Sequence, residues 1–352
     1  MNKVVIGDKL VGPGRQVFII AEAGVNHNGD PLLARRLIRE AAAAGADAVK
    51  FQTFRAARLV TAGAGQARYQ QVNSGRQESQ LAMLKRLELT AGDHGELQQY
   101  AAECGILFLS TPFDEESLEL LCQLKIPAFK IGSGELNNHP FLQQIAHKAC
   151  PIILSTGMSY LWEVQEAVEA ICATGNRQLV LLHCTSNYPP AMEDVNLRAI
   201  TTLQRSFPFP IGYSDHTPGD VVAIGAVTLG AAVIEKHLTL DKALPGPDHL
   251  VSLEPGEFKE MVDKIRVIER ALGSGEKLPA CAEEEIRLVA RKSLVARREI
   301  PAGTKLALED VAIKRPGSGL PPKTLTQVVG RKTKVRIPED QLIAWDMLEE
   351  PE

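Results

Sequence analysis

The sequence predicts a (β/α)8 TIM barrel followed by a small C-terminal β-rich domain. About eight short apolar runs alternate with amphipathic helical segments over roughly 260 residues, which is the size of such a barrel. The runs are apolar almost throughout, as expected for parallel strands that are buried on both faces. Nearly every run also ends in polar residues. A doubly wound open sheet would show a similar alternation and is the alternative architecture.

The predicted elements follow one another in a regular order. The strands cover 17–22, 46–53, 106–111, 128–133, 151–156, 179–184, 210–215 and 233–238. The helices cover 32–44, 78–88, 91–104, 114–124, 139–149, 160–173, 195–206, 220–231 and 256–272. Ahead of the first strand, Val4 to Ile6 and a Gly-Pro-Gly turn at 12–14 predict a small hairpin. The polar segment 55–77 interrupts the alternation and predicts a loop over one end of the barrel.

The pattern changes after the last predicted barrel helix. We assign 1–272 to the catalytic barrel and 273–290, which begins Gly273-Ser-Gly-Glu-Lys277, to a linker with a short helix. The rest, 291–352, consists of short apolar pieces broken by Gly and Pro and predicts a second domain with many turns. At about 60 residues this domain would have a small core, so we expect it to lean on a partner surface.

Composition limits the possible partners. The formal net charge is −4, aromatic residues make up 5%, and no long basic run occurs, which argues against nucleic acid or an anionic membrane surface. No segment approaches the roughly 18 apolar residues of a membrane span. The six cysteines form no CxxC pair and are typical of reduced thiols, so we expect a cytoplasmic protein.

Polar side chains cluster at the ends of the predicted strands, where a TIM barrel carries its active site. They are Glu22, Lys50, Gln52, Ser110, Thr111, Lys130, Ser133, Glu135, Ser155, Thr156, His183, Thr185, Ser186, Asn187, Tyr188, Ser214, Asp215, His216, Glu235 and His237. Burying so many polar groups in a core would be unfavourable unless each found a partner. The pattern therefore predicts one shared active-site mouth.

Two lysines at these ends suggest an anion as ligand. Lys50 and Lys130 would supply positive charge to phosphate oxygens, and neighbouring hydroxyl groups would donate hydrogen bonds. The hydroxyl groups are those of Thr111, Ser133 and Ser155. The structural alternative is that each lysine only pairs with a carboxylate, such as Glu22 or Glu135.

Two histidines suggest a metal ion. His216 and His237 follow neighbouring strands and could offer two imidazole nitrogens to one divalent ion. Glu235 lies two residues before His237, so on a strand it would face the same side and could orient an imidazole or a bound water. The alternative is a buried ion pair of Glu235 and His237 without function. The loop that contains Asp248 brings a further carboxylate over the same mouth.

Several longer motifs occur at these positions. They are Glu22-Ala-Gly-Val-Asn-His-Asn-Gly29, Asp47-Ala-Val-Lys-Phe-Gln52, Ser110-Thr-Pro-Phe113, Phe129-Lys-Ile-Gly-Ser-Gly-Glu135, Leu154-Ser-Thr-Gly-Met158, Ser214-Asp-His-Thr217, Glu235-Lys-His237 and Pro245-Gly-Pro-Asp248. In this order they resemble the sialic acid synthase (N-acetylneuraminate synthase) family through nearly the whole barrel. In the C-terminal part, Ser293-Leu-Val-Ala296, Lys314-Arg-Pro-Gly-Ser-Gly319 and Val329-Gly-Arg331 resemble the antifreeze-like (SAF) domain of those enzymes.

The resemblance implies condensation of phosphoenolpyruvate with an N-acylated hexosamine, which releases phosphate and gives a nine-carbon 2-keto acid. It implies that phosphoenolpyruvate is held by Lys50, Thr111, Lys130, Ser133 and Ser155. It assigns Mn2+ or Mg2+ to His216 and His237, with Glu235 close by, and the sugar to Glu22, Gln52, Tyr188 and Asp248. Glu135 is the candidate for handling water or a proton when the tetrahedral intermediate collapses.

The resemblance also implies a homodimer in which the SAF domain of one chain reaches the barrel of the other. Arg315 would then contact the acyl-amino group of the sugar. One motif departs from the family, because this chain reads Thr185-Ser-Asn-Tyr-Pro189 where sialic acid synthases of the meningococcal type read Thr-Asn-x-Tyr-Pro. A shift by one residue reverses the direction of a side chain on a strand, so Ser186 or Asn187 would fill that role.

The sequence is compatible with further possibilities for substrate and function. The acceptor sugar would be N-acetylmannosamine, giving N-acetylneuraminate, or 2,4-diacetamido-2,4,6-trideoxymannose, giving N,N'-diacetyllegionaminate. A Schiff-base aldolase would instead use Lys50 or Lys130 as a nucleophile. A non-enzymatic carbohydrate- or ice-binding module would use the SAF part on an inert barrel.

Overall fold

The computed structural model describes residues 2–67, 70–71, 73 and 78–350. It divides into two compact units, Met1–Gly273 and Ser274–Glu352. Within the described residues, no helix is both long enough and apolar enough to cross a membrane.

The first unit is a closed barrel of eight parallel strands, as the sequence predicts. The strands are β3 (Phe18–Gly24), β4 (Ala48–Thr53), β5 (Leu107–Pro112), β6 (Phe129–Ile131), β7 (Ile152–Ser155), β8 (Leu179–Cys184), β9 (Ile211–Asp215) and β10 (Val233–His237). Each strand pairs with the next in sequence, and β10 pairs with β3 to close the ring. The predicted strand 128–133 is too long, because a 3-10 turn begins at Ser133.

Helices separate the strands. They are α1 (Pro31–Ala43), α2 (Ala56–Leu59), α3 (Gln80–Leu87), α4 (Ala91–Glu103), α5 (Glu115–Gln123), α6 (His139–Ala146), α7 (Leu161–Cys172), α8 (Arg198–Ser206), α9 (Val221–Thr228) and α10 (Pro255–Leu272). Side-chain caps fix several starts, as where the Asp30 carboxylate accepts from the amide of Leu32. The prediction of a loop over 55–77 is wrong at 56–59, which form α2. Part of the predicted loop lies outside the described residues.

A hairpin closes the N-terminal end of the barrel. Its strands, β1 (Val4–Ile6) and β2 (Lys9–Val11), turn at Gly7, which has a φ of 60°, rather than at the predicted turn at 12–14. Val4 and Ile6 pack into the apolar cluster inside the barrel, with Phe18 and Ile20 at the start of β3. A larger apolar layer lies between the strands and the surrounding helices. The interior is therefore dry at the N-terminal end.

The second unit has its own small core. Helix α11 (Glu283–Ala290) precedes two antiparallel strands, β11 (Ser293–Ala296) and β12 (Val311–Lys314), and a short helix α12 (Leu325–Val328). Leu294, Ile300 and Leu306 pack together in its buried cluster. Isolated bridges and 3-10 turns make up much of the rest, which matches the prediction of a β-rich domain with many turns.

Candidate active site

Side chains that point into the barrel change from apolar to polar along the strands. The positions nearer the N-terminal ends of the strands, such as Ile20, Leu109 and Val233, belong to the inner apolar cluster. The positions two residues further on line a cavity of about 420 Å3. Its polar lining residues are Glu22, Lys50, Gln52, Gln70, Thr111, Lys130, Ser133, Ser155, Cys184, Ser186, Tyr188, Ser214, His216, Glu235, His237 and Asp248. The side-chain period of two thus gathers residues from eight strands at the C-terminal mouth.

A cluster of two lysines and two carboxylates forms the floor of this cavity. Lys50 Nζ lies 2.8 Å from Glu22 Oε2 and 3.8 Å from Glu235 Oε2, and Lys130 Nζ lies 3.4 Å from Glu235 Oε1. All four side chains are at most 5% exposed. Each lysine does pair with a carboxylate, as the structural alternative proposed, but Glu22 Oε2 and Glu235 Oε2 accept no well-directed hydrogen bond from the described residues. The cluster is charge-paired and still incomplete.

Burial and mutual attraction shift the pKa values of these groups. Burial raises the pKa of Glu22 to about 7, against the opposing effect of Lys50. Burial also raises the pKa of Glu235, but the positive charges of Lys130 and Lys50 outweigh this effect and lower that pKa to about 2. Burial also lowers the pKa of Lys130, with partial compensation by Glu235. Burial opposes the charge of Lys50, but Glu22 and Glu235 outweigh it and raise that pKa. Glu22 is therefore poised to exchange a proton near neutral pH.

Hydroxyl groups surround the lysines. Lys130 Nζ donates to Ser155 Oγ at 2.7 Å, and Lys50 Nζ donates to Thr111 Oγ1 at 3.4 Å. Ser133 Oγ accepts the Gly157 amide at 2.9 Å. A side chain at Gly157 would meet the Ser186, Cys184 and Ser133 side chains at 2.4–2.9 Å. This corner of the cavity has room because residue 157 is glycine, and cations with hydroxyl donors are what an anionic ligand requires.

The two histidines lie at the same mouth. The ring centroids of His216 and His237 are 5.5 Å apart, and the ring of Tyr188 lies 4.1 Å from that of His216. Burial lowers the pKa of His216 to about 4, and burial together with His216 lowers the pKa of His237 well below its ordinary value. Both rings are therefore neutral at pH 7, which is the form that binds metals.

The polar contacts of the rings agree with a metal-ligating role. His216 Nδ1 lies 2.8 Å from the Thr185 carbonyl, so it carries the proton and leaves the lone pair on Nε2. His237 Nδ1 is buried and has no hydrogen-bond partner among the described residues. No group of three or more His, Cys, Asp or Glu side chains in the described part of the chain is arranged to hold an ion. The two neutral imidazoles would fit a divalent ion as ligands.

The residues expected to face the sugar, Glu22, Gln52, Tyr188 and Asp248, all line the same cavity. Gln52 Nε2 lies 3.4 Å from Glu22 Oε1. Asp248 is 7% exposed, and its burial raises the pKa of its carboxyl to about 6. Ser252 holds the loop in place by donating to the Asp248 carbonyl at 2.6 Å, and Asn26 donates to Ser252 Oγ at 2.9 Å. The loop therefore has a fixed connection to β3.

Five residues of the predicted mouth without an assigned role do not line this cavity, namely Ser110, Thr156, His183, Thr185 and Asp215. Three of the residues with an assigned role also lie in other settings. Ser186 lines the same cavity as Lys130, whereas Asn187 is exposed and lines a neighbouring cavity of about 680 Å3. Glu135 does not line the 420 Å3 cavity, because its 3-10 turn directs Oε2 to Asn138 Nδ2 at 2.8 Å. Arg315 is an exposed residue of the second unit, where its Nε donates to the Ala290 carbonyl at 3.1 Å.

Several lining residues were not singled out from the sequence, among them Cys184, Met158 and Met83, and Glu235 has partners that were not expected. Cys184 is buried beside Ser133, with Sγ 3.2 Å from Oγ, and Met158 follows Gly157 at the rim. The position of Cys184 as the last residue of β8, two after the buried Leu182, was the available signal. Glu235 was expected to orient an imidazole or a water, but it pairs with the lysines and accepts from Ser214 Oγ at 2.7 Å.

Comparison with known proteins supplies the family. Residues 37–277 match the NeuB family and residues 291–349 match the SAF domain. The chain is 47% identical to the N,N'-diacetyllegionaminic acid synthase of Legionella pneumophila over 99% of each chain. It is 40% identical to the N-acetylneuraminate-9-phosphate synthase of Homo sapiens, over 97% of this chain and 95% of that one.

A solved structure agrees with these matches. The N-acetylneuraminic acid (sialic acid) synthetase of Leptospira borgpetersenii, in complex with citrate, superposes with a TM-score of 0.73 at 35% identity. The match covers 81% of this chain and 95% of that one. Since the family match takes in most of the barrel and the relatives match nearly the whole length, the chain belongs to the NeuB family of enzymes and ends in a SAF domain.

Proposed function

We propose that the protein is a nonulosonic acid synthase that condenses phosphoenolpyruvate with N-acetylmannosamine and water to give N-acetylneuraminate and phosphate. The observation that carries this proposal is the buried cluster of Lys50 and Lys130, with hydroxyl groups bonded to the two ammonium groups, beside two neutral histidines. A phosphate and a carboxylate on one small substrate need such a combination of cations and donors.

Lys50, Lys130, Thr111, Ser133 and Ser155 bind phosphoenolpyruvate in this proposal. The lysines neutralise its negative charge in a cavity from which most water is excluded, where electrostatic interactions are strong. The hydroxyl groups fix its orientation. Holding C3 of phosphoenolpyruvate against the aldehyde carbon of the sugar makes formation of the new carbon–carbon bond effectively unimolecular.

His216 and His237 hold a divalent ion, Mn2+ or Mg2+, which when bound polarises the sugar aldehyde. Glu22, Gln52, Tyr188 and Asp248 orient the open-chain sugar. Glu22 has a pKa of about 7 and can give its proton to the aldehyde oxygen as the carbon–carbon bond forms. Water then adds at C2 and phosphate leaves. The role of Glu135 at that step remains a prediction, since its carboxylate bonds Asn138.

A second candidate acceptor is suggested by the activity of one relative. The Legionella pneumophila protein is named an N,N'-diacetyllegionaminic acid synthase, so 2,4-diacetamido-2,4,6-trideoxymannose is the alternative substrate. Phosphate release would be measured for each sugar with phosphoenolpyruvate. The sugar with the higher kcat/KM identifies the acceptor, and no release with either sugar would disprove the proposal.

Chelation tests the metal part of the proposal. Removing divalent ions should abolish phosphate release, and added Mn2+ should restore it. Full activity in chelator would rule out the two-histidine site. Borohydride trapping of a covalent adduct between pyruvate and Lys50 or Lys130 would instead support a Schiff-base aldolase.

A homodimer with exchanged SAF domains is also proposed, with Arg315 of one chain contacting the acyl-amino group bound in its partner's barrel. Mixing the Arg315→Ala and Lys130→Ala chains should restore some activity, because one barrel in each heterodimer would then be complete. Two inactive parents and an inactive mixture that forms heterodimers would disprove the exchange.

A further inference from the structure

The outer faces of β9 and β10 carry a fully buried ion pair. Lys236 Nζ lies 2.8 Å from Asp215 Oδ2, and both side chains are 0% exposed. The two residues are direct register partners on the neighbouring parallel strands. Ile211 and Ile234 on the same outer faces belong to the apolar layer between strands and helices. The pair is therefore a buried polar contact next to the apolar layer between strands and helices.

The pair lies directly next to both candidate metal ligands in the chain. Asp215 precedes His216, and Lys236 precedes His237. Because side chains alternate along a strand, the pair points outward while the two imidazoles point into the cavity. Neither Asp215 nor Lys236 lines that cavity.

The pair also holds the residue beyond His216. Asp215 Oδ1 accepts from the Thr217 amide at 2.9 Å and from Thr217 Oγ1 at 2.8 Å. The Lys236 ammonium donates to the Thr217 carbonyl. The backbone on each side of His216 is thus bound to one ion pair, which is itself anchored next to His237.

Stability alone is a weak explanation for this arrangement. Taking two ions out of water costs several kcal/mol each, and replacing a buried ion pair by apolar side chains is often neutral or stabilising. An ion pair with fixed directions can, however, hold two strand ends in one relative position. That is what two ligands on separate strands need if they are to share an ion.

We propose that the Asp215–Lys236 pair positions the metal site by locking the ends of β9 and β10 so that His216 and His237 face a common ion. The inference rests on the proposed metal function of the two histidines. Asp215 and Lys236 act as positioning residues, since their effect on the ion passes through the backbone of the two ligands.

The test is the affinity of the full-length protein for Mn2+, measured without substrates by electron paramagnetic resonance of free Mn2+. The variant is Asp215→Asn combined with Lys236→Met. The asparagine oxygen can still accept from Thr217, and removing both charges leaves neither one stranded. We expect the dissociation constant for Mn2+ to rise on the order of 10-fold, with thermal stability equal to or above that of the wild type. Binding of phosphoenolpyruvate in chelator should stay unchanged.

A matched control breaks an ion pair at the other end of the barrel. Arg266 Nη2 lies 3.4 Å from Asp47 Oδ2, near the start of β4. Asp47→Asn combined with Arg266→Met should lower thermal stability and leave Mn2+ affinity unchanged. If the Asp215–Lys236 pair had only a structural role, the Asp215→Asn/Lys236→Met protein would likewise lose thermal stability and keep its Mn2+ affinity.

The outcomes separate the inference from the proposed function. Wild-type Mn2+ affinity in the folded Asp215→Asn/Lys236→Met protein overturns the inference and leaves the metal site standing. Failure of the wild-type protein to bind Mn2+ more tightly than His216→Ala overturns both. If the double variant does not fold, Lys236→Arg keeps the charge with a different reach. It should weaken Mn2+ binding by a smaller factor, and unchanged binding would again overturn the inference.

Discussion

The buried polar groups on the two faces of β10 differ in their hydrogen bonding. Glu235 and His237 point into the barrel, and Glu235 Oε2 and His237 Nδ1 have no hydrogen-bond partner among the described residues. Lys236 points outward between them, and its ammonium bonds both Asp215 and the Thr217 carbonyl. All three are at most 5% exposed. Burial is therefore equal on the two faces, and only the completeness of the hydrogen bonding differs.

On this strand, only the face that lines the cavity carries buried polar atoms without a partner among the described residues. A buried polar atom without a partner is unfavourable, so its presence in a well-packed protein needs an explanation such as a ligand. The inward face has such atoms at the cavity, whereas the outward pair is complete. A perturbed pKa does not distinguish the two faces, because burial lowers the pKa of Lys130 on the inward face and of Lys236 on the outward face.

Replacing a lysine by methionine should affect different properties on the two faces. The larger effect is expected on the inward face. Lys130→Met should reduce the rate of phosphate release by roughly 1,000-fold, because a cation that stabilises charge in the transition state is lost. Unfolding in urea should change little, since Glu235 keeps Lys50 and Ser214 as partners. Lys264→Met, at an exposed ion pair with Asp220, is the control and should retain full activity.

On the outward face, Lys236→Met alone should lower stability, in addition to the weaker Mn2+ binding expected when the pair is broken. It leaves the Asp215 carboxylate buried without its cation, which typically costs about 3–5 kcal/mol. Urea unfolding would measure this loss, and the added Asp215→Asn substitution should recover all of it. If Lys236→Met were as stable as the wild type, the outward pair would not be the complete contact that the comparison requires.

The outer layer also buries a histidine whose titration affects stability. Burial lowers the pKa of His94 to about 4, and Nδ1 has no hydrogen-bond partner among the described residues. The unfolded chain therefore binds more protons than the folded one between about pH 6.5 and pH 4, so this contribution to stability is lost as the pH falls through that range. His94→Leu should reduce the acid-induced loss by up to about 3 kcal/mol, as measured by urea unfolding at pH 7 and pH 4.5. Equal pH dependence in both proteins would contradict this assignment.

The smallest effect is expected at the displaced motif. Ser186 lines the inner cavity and Asn187 does not, so Ser186→Ala should raise the KM for the acceptor sugar by about 10-fold. Asn187→Ala should change it by less than about twofold. The reverse ranking would show that the loop rearranges when the sugar binds, and would return Asn187 to the family role.

Much of the site could be predicted because it follows from local rules. The strand positions of Lys50, Lys130, His216 and His237 are visible from apolar runs that end in polar residues. Alternation along a strand then assigns them to one face. Cys184 was not predicted as a site residue, because a cysteine at the end of a strand can equally be a buried apolar side chain.

The sequence by itself determined the barrel, its strand order and the family, because side-chain periodicity and motif order are properties of the chain. The tertiary structure alone decided which groups meet. It paired Glu235 with two lysines rather than with His237, turned Glu135 toward Asn138, and joined Lys236 to Asp215 across two strands. Partners of this kind depend on register between distant segments and on the balance of desolvation against attraction in a closed interior, and neither is written in any one stretch of sequence.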